Sequence, residues 1–520
     1  MAPFFVHDKK PKRFYNPHMR KIFLDTRKLD MACRERFCLS EDLMMENAAS
    51  ALEKKLAGKK SVLILCGGGN NGGDGYALAR RIFSKNVSVV VLVCAPERSD
   101  MCLLQKKRAK NCGVKFVPLS DFDSLVEKNN FDAVVDCIFG SGFHGALPDE
   151  ISALVKKINA MECFKLACDI PSGLDLIGNV CGECFRADET VTMGALKLAL
   201  CSDFAKEVCG KIECAGLGLD RETFENSAPQ QNQGTKYFLL EESDCKYPFR
   251  KNPNVNKGNF GHVAVVAGEK IGASVIASCA ALKFGAGLAT LVDFKNEHSP
   301  GEKISLDENG FPSEAIVPYE IMCAKNFPEK TSAIALGMGL GRDCEISEIK
   351  RYIYENPEIP IVLDADIFYH DEILEILQKR SGQKSQTVLT PHPKEFSVML
   401  EKCGLGNFST GDVVKNRVEL AQKFCGAFPG ITLILKGAVV LIACKADSDS
   451  DCEMFFNPHG EASLAKAGSG DVLSGLVASL RAQKYSPLDA AKSASLAHAL
   501  GSKKICPDFS LTPFGLIEKL

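Results

Sequence analysis

The chain has 520 residues, 46% hydrophobic and 25% charged, which is the balance of a soluble globular protein too long for one ordinary core. Lys and Arg number 63 against 65 Asp and Glu, a formal charge of -2, so no basic excess marks nucleic acid or an anionic membrane as the partner. The 23 cysteines stand singly, many in apolar runs such as those around Cys66, Cys94, Cys137 and Cys279, where thiols behave as small hydrophobes. Cys181 and Cys184 form the one Cys-x-x-Cys pair, and Cys201, Cys209 and Cys214 add no second close pair for a zinc site. The opening residues carry no secretory h-region, and the most apolar window, 274–292, reads as a core helix running into a strand. Free thiols in a reducing cytoplasm are the expectation.

In chain order, Ser40 is set to cap a helix whose first turn holds Glu41 and Asp42. Strand-like runs follow at 62–65, 87–93, 133–138 and 164–168, separated by helical segments near 74–85, 100–111, 120–129 and 149–160. Short buried strands alternating with helices predict a parallel sheet covered on both faces. From Glu225 to Gly234 the hydrophobic periodicity is lost, and this polar stretch is the expected linker. A second α/β block has strand-like runs at 262–267, 287–292, 332–336, 360–363, 386–389, 431–435 and 438–443, with helices near 271–284, 411–426 and 470–483. The acidic run 447–451 reads as a solvated hairpin loop.

Chemistry-bearing motifs gather after the strands. In the first block the loop Gly67–Gly75 holds Asn70, Asn71, Gly72, Gly73 and Asp74, and reads as a backbone-lined turn before a helix. Its amides and carboxylate suit a carboxamide, a ribose or a hard cation. Asp136 and Asp169 end two neighbouring strands, and carboxylates so placed face one crevice. In the second block Gly337–Gly341, Asp364-Ala365-Asp366 and the loop holding His392 each follow a strand directly. Lys257 is a candidate phosphate contact, with an exposed loop lysine the plain alternative. Gly468-Ser469-Gly470-Asp471 offers backbone N–H groups to an anion, with Asp471 placed to take a proton from a substrate hydroxyl. That pattern fits phosphoryl transfer.

GGGNNGGDGYALAR, VDCIFGSG and DIPSGLD resemble the N-terminal domain of the bacterial bifunctional NAD(P)H-hydrate repair enzymes, and KGNFG, LTPHPKEF, ILKG and GSGDVLSG resemble their ribokinase-like C-terminal domain. The resemblance implies a Rossmann-like epimerase domain over 1–224, a linker at 225–234 and a dehydratase domain over 235–520. It implies interconversion of the R and S forms of hydrated NAD(P)H, NAD(P)HX, and ADP-dependent dehydration of the S form. The hydrate of the epimerase would be met by Asn70, Asn71, Gly72, Gly73, Asp74, Gly140, Ser141, Gly142, Phe143, His144, Gly145, Ala146 and Asp169. Asn71, Asp136 and Ser172 would hold K+. In the dehydratase, Ala273, Gly339, His392 and Asp471 would contact the hydrate. Lys436, Gly437, Ala438, Val439, Val440 and Gly470 would contact ADP, with Mg2+ accompanying it. Asp169 and Asp471 would be catalytic, the latter as base on the C6 hydroxyl before phosphate is eliminated. One departure stands out. The family usually reads Asp-Ala-Asp-Ala-Leu-Asn, whereas Asp364-Ala365-Asp366 continues Ile367-Phe368-Tyr369, without the Asn. The alternative is a small-metabolite kinase joined to a nucleotide-binding module. Small-molecule substrates and a homo-oligomer are expected, with neither nucleic acid nor membrane as partner.

Overall fold

The computed structural model describes residues 19–228, 235–294 and 317–520; the first 18 residues and 229–234 of the expected linker lie outside them. The first block contributes β1 (Lys21–Phe23), β2 (Ser61–Cys66), β3 (Ser88–Val93), β4 (Lys115–Pro118), β5 (Ala133–Cys137), β6 (Phe164–Cys168), β7 (Glu189–Met193), β8 (Leu196–Lys197) and β9 (Lys211–Ala215). The second contributes β10 (Thr235–Leu239), β11 (His262–Val266), β12 (Leu288–Val292), β13 (Met322–Ala324), β14 (Ala333–Leu336) and β15 (Ile361–Leu363). It continues with β16 (Thr387–Leu389), β17 (Thr432–Leu435), β18 (Val440–Lys445) and β19 (Cys452–Asn457).

Val, Ile and Leu fill most of β2 and β3, and Ala, Val and Cys most of β5; all three are buried along nearly their whole length, as strands covered on both faces must be. The seven-stranded sheet runs β4-β3-β2-β5-β6-β7-β9, all parallel. Apolar clusters cover its two faces. Strand order reverses between β2 and β5, the place where a doubly wound, Rossmann-like sheet opens a crevice at its carboxyl edge. The second sheet runs β13-β12-β11-β14-β15-β16-β17-β18-β19-β10-β1-β8. From β13 to β17 it is parallel and reverses between β11 and β14; β18 and β19 then form an antiparallel hairpin across the acidic run, as its composition predicts. The window 274–292 is the helix Ile271–Lys283 running into β12. Ser40 does cap Glu41–Lys55, its Oγ accepting from Leu43 N at 3.2 Å.

Three features differ from the reading of the sequence. The helix expected from about residue 74 spans Asn70–Phe83 and so swallows most of the glycine loop. A Cβ on Gly72 would lie 1.9 Å from Gly67 O, and one on Gly75 2.7 Å from Cys66 Sγ. These glycines let the helix lie against the strand end, so the close approach they serve is largely internal. The helix expected at 411–426 is two, Thr410–Lys415 and Arg417–Ala427, parted at Asn416. Finally, the larger sheet takes strands from both blocks: β1 pairs with β10 and with β8, and Ile22 is fully buried there. One apolar cluster accordingly joins Leu196, Leu198, Leu200 and Val208 of the first block to Leu433, Met454 and Phe456 of the second.

Candidate active sites

At the first reversal point β2 and β5 deliver Gly67–Asn71 and Asp136–Ser141 to the rim of a cavity of about 1050 Å³. Its lining includes Asn70, Asn71, Asp74, Gly140, Ser141, Gly142, Phe143 and Asp169. Gly72 and Gly73 lie beneath it, packed on Gly67 and Met45, and His144, Gly145 and Ala146 are exposed beyond its lining.

Asp169 follows β6 with φ +68, a conformation that non-glycine residues hold only where surroundings fix it. Those surroundings are hydrogen-bond donors. Thr192 Oγ1 and Met193 N each donate to Oδ1 at 3.1 Å, Ser141 N donates to Oδ2 at 3.3 Å, and Lys197 Nζ lies 2.6 Å from Oδ1. Burial alone would raise this carboxyl, but the Lys197 charge and these donors hold it below the usual carboxylate range. Two further carboxyls share the lysine and go the other way. Burial and the Asp169 charge push Asp74 well up, and Asp30, from the helix Arg27–Phe37, is pushed up to about 6 by burial. The crevice therefore sets one carboxyl held below the usual range beside two pushed above it, the kind of separation that acid–base chemistry uses. Sequence reasoning missed Lys197 and Asp30. The signal for Lys197 was a single charge inside the uncharged run 190–202; Asp30 had none.

Beneath the rim, Asp136 is fully buried and accepts from Ser172 N and Ser172 Oγ, both at 2.7 Å, and from Ile138 N at 3.1 Å. Burial nevertheless holds it up to about 6. Ser172 Oγ also accepts from Phe139 N at 3.0 Å, and Asn71 Nδ2 donates to Phe139 O at 2.8 Å. Asn71 Oδ1 is buried without a hydrogen-bond partner among the described residues. An orphaned amide oxygen joined through Phe139 to a hydroxyl and a buried carboxylate fits a hard monovalent cation.

At the second reversal point, loops after β14, β15, β16 and β17 converge. Lys436 Nζ reaches Asp364 Oδ1 at 2.9 Å and Glu395 Oε2 at 3.7 Å, and Ser474 Oγ donates to Asp364 Oδ2 at 2.6 Å. Burial opposes the lysine's charge, yet Asp364 and Glu395 hold it above its usual range. His392 caps Pro393–Lys402, its Nδ1 accepting from Glu395 N at 3.2 Å, and burial and the Lys436 charge keep the ring below its ordinary pKa. Gly468, at φ +86, turns the chain into Ser469–Ala482, and a Cβ on Gly470 would stand 3.3 Å from Lys436 Nζ. Asp471 is thereby set among Asp364, Lys436, Glu395 and Asp366, and burial followed by the Asp364 charge pushes it up to about 7. Gly339 packs on Ala273, with 3.1 Å between its would-be Cβ and the alanine's. In the turn after β17, Gly437 and Ala438 are exposed and Val439 is buried, ahead of Val440 at the start of β18. Where the family has Asn, Tyr369 carries the Arg342 guanidinium 3.8 Å over its ring. Lys257 does not join this cluster, since it precedes β11 and so lies at the opposite edge of the sheet.

All cysteines are free thiols; Cys66, Cys137 and Cys168 lie under the first cavity, Cys168 Sγ 3.9 Å from Asp74 Oδ2. No described helix is long and apolar enough to cross a membrane.

Comparison with known proteins assigns both halves. Residues 41–199 match the family described as YjeF-related protein N-terminus, and 263–519 match the family described as NAD(P)H-hydrate dehydratase. A bifunctional NAD(P)H-hydrate repair enzyme of Helicobacter pylori is 39% identical over 96% of this chain and 99% of its own. That of Moorella thermoacetica is 30% identical over 88% and 87%. Among solved structures, an ADP/ATP-dependent NAD(P)H-hydrate dehydratase from Bacillus subtilis co-crystallised with ATP and Mg2+ is 25% identical, with a TM-score of 0.40 over 52% of this chain and 91% of that one. With two reversal points, each furnished with its own acid–base groups, and a relative 39% identical over 96% of this chain, the chain belongs to the family of bifunctional NAD(P)H-hydrate repair enzymes.

Proposed function

We propose that this chain interconverts R and S NAD(P)HX at the β2/β5 crevice and dehydrates the S form with ADP at the β11/β14 crevice, the two halves dividing near the polar stretch 225–234. The observation that supports it most is the presence, in one chain, of two separate aspartates poised oppositely: Asp169 held ionised by Lys197, and Asp471 held near neutrality. Asp169 would take or hold the proton moved at the reacting ring, with Asp74, whose protonated form burial favours, as the donor. At the other site Asp471 would take the C6 hydroxyl proton as that oxygen attacks the β-phosphorus of ADP and AMP departs. Pushed by the ring nitrogen's lone pair, phosphate then leaves C6 with its electron pair, and loss of the C5 proton to solvent or to the departing phosphate restores the C5–C6 double bond and returns the lone pair to nitrogen. Lys436 and the N–H groups at the head of Ser469–Ala482 would carry the phosphoryl charge. Mg2+, when bound with the nucleotide, would shield its phosphates. We further propose K+ at Asn71, Asp136 and Ser172, where it would order the Asp136–Phe139 loop. The free thiols support a reducing compartment, the cytoplasm.

The test is incubation with a mixture of R and S NADHX and ADP. Full recovery of the reduced nicotinamide band with one AMP and one phosphate per NADH is expected. No recovery, or accumulation of a phosphorylated small metabolite in its place, would sink the reading.

A further inference from the structure

The turn proposed to meet ADP, Lys436–Val440, is held from outside its own half. Asp203 lies in the first block, just after β8 and a short 3-10 turn, and its side chain is 18% exposed. Its Oδ1 accepts from Arg417 Nη1 at 2.7 Å and from Val439 N at 2.8 Å. Arg417, with a side chain only 7% exposed, donates through Nη2 to Leu435 O at 3.1 Å. One buried ion pair therefore grips both ends of the turn, the last carbonyl of β17 and the N–H just before β18. It also accounts for Gly437. A Cβ there would lie 2.8 Å from Asp203 Oδ2 and 2.9 Å from Arg417 Nη1, so any side chain would push the pair off the turn. Beside Asp203, Phe204 and Ala205 belong to the apolar cluster shared by the two halves, which fixes the carboxylate's position. Neither Asp203 nor Arg417 lines the epimerase cavity.

We infer that Asp203, a residue of the epimerase half, is a positioning residue for the nucleotide turn of the dehydratase half, acting through Arg417 and Val439 N. The inference rests on the assignment of Lys436–Val440 to ADP. Its chemistry is geometric. With Asp203 removed, Arg417 is buried without its counter-charge and the turn loses the acceptor that sets Val439 N, so Lys436 and the backbone N–H groups of the turn drift from the phosphates. Misplacement on that scale weakens binding of ADP and, because Lys436 also carries the charge of the transferred phosphoryl group, slows its transfer.

The experiment is steady-state dehydration of S-NADHX by the full chain with ADP varied. In Asp203→Ala the KM for ADP should rise on the order of tenfold. The kcat at saturating ADP should fall with it, while the KM for S-NADHX and the R-to-S epimerisation rate should stay near wild type. Asp203→Asn, which keeps an acceptor for Val439 N but loses the charge, should fall between the two and serves if the alanine variant does not fold. A wild-type KM for ADP in folded Asp203→Ala and Asp203→Asn, or a fall in kcat with KM unchanged, overturns the inference. Lys436→Ala separates the two failures. If its KM for ADP is also unchanged, the turn is not the nucleotide site and the underlying assignment falls with it; if its KM rises and that of Asp203→Ala does not, only the role of Asp203 falls.

Discussion

Asp169 and Asp471 are the same residue type in opposite electrostatic settings, and that contrast makes their roles separable. Asp169→Asn should lower epimerisation by ~10²–10⁴-fold and leave dehydration of S-NADHX intact, while Asp471→Asn should do the reverse. Measuring both rates on each variant decides it, and loss of both activities in either variant would count against two independent centres. Because Asp471 is pushed up to about 7 by burial and its acidic neighbours, its base form is depleted as pH falls through neutrality. The kcat/KM for dehydration should therefore drop about tenfold per pH unit below about 7 in the wild type. The same shift has a stability sign. The folded chain holds this carboxyl's proton more tightly than the unfolded chain does, so ionising it costs folding free energy that grows from about pH 4 to about pH 7. Asp471→Asn should melt higher than wild type at pH 8, with a smaller gap at pH 5; an equal melting temperature at pH 8 would argue against the buried setting. The orphaned Asn71 Oδ1 supplies a third expectation. Replacing K+ by Li+ should slow epimerisation of the wild type, and Asn71→Ala should be insensitive to the exchange; equal rates in both salts would remove the cation from the site.

Among the elements, those with strong periodicity were legible from composition alone. β2, β3, β5 and β12 fall where β-branched runs predict them, and Ser40 caps the helix it precedes. What was not legible is the reach of close packing. A run of Gly and Asn has poor helix propensity, and only the strand end beneath it makes the helix start at Asn70. The candidate site shows the same division. Asp136, Asp169 and Asp471 stood out because each ends or follows a strand or opens a helix beside glycines. Lys197 and Asp30 did not, because they reach the crevice from segments whose local pattern carries no site signal. Tertiary contact supplied what pattern could not. The consequence for Gly72 is testable. With Gly67 O 1.9 Å from its would-be Cβ, Gly72→Ala must push the helix off the strand, a strain of ~1–3 kcal/mol. A melting temperature lowered by several degrees and reduced epimerisation are expected; an unchanged melting curve would mean the helix head gives way freely.

For the whole molecule, the decisive fact is that the two halves share one of their apolar clusters. Inter-domain contacts within a chain are often modest and polar, and the parts then move and melt separately. Here the cluster joining Leu198 and Leu200 to Leu433 and Phe456 is continuous, and it is flanked by the buried Asp203–Arg417 pair. Thermal unfolding should accordingly be a single cooperative transition by calorimetry. Two well-separated peaks would show that the shared core contributes little to coupling.

The short strand β1 also bears on how the chain can be cut. It pairs antiparallel with β10 through Lys21↔Phe238 and Ile22↔Tyr237 and hands the sheet on to β8. A gene severed at the Gln- and Asn-rich stretch would strip both strands from the second half. The long side of β10 would then offer unpaired backbone donors and acceptors beside freshly bared Leu and Phe surface, a ready template for edge-to-edge self-association. The order of the parts along the polypeptide thus works as a safeguard: the N-terminal strand, made first, waits to seal the margin of the half made last.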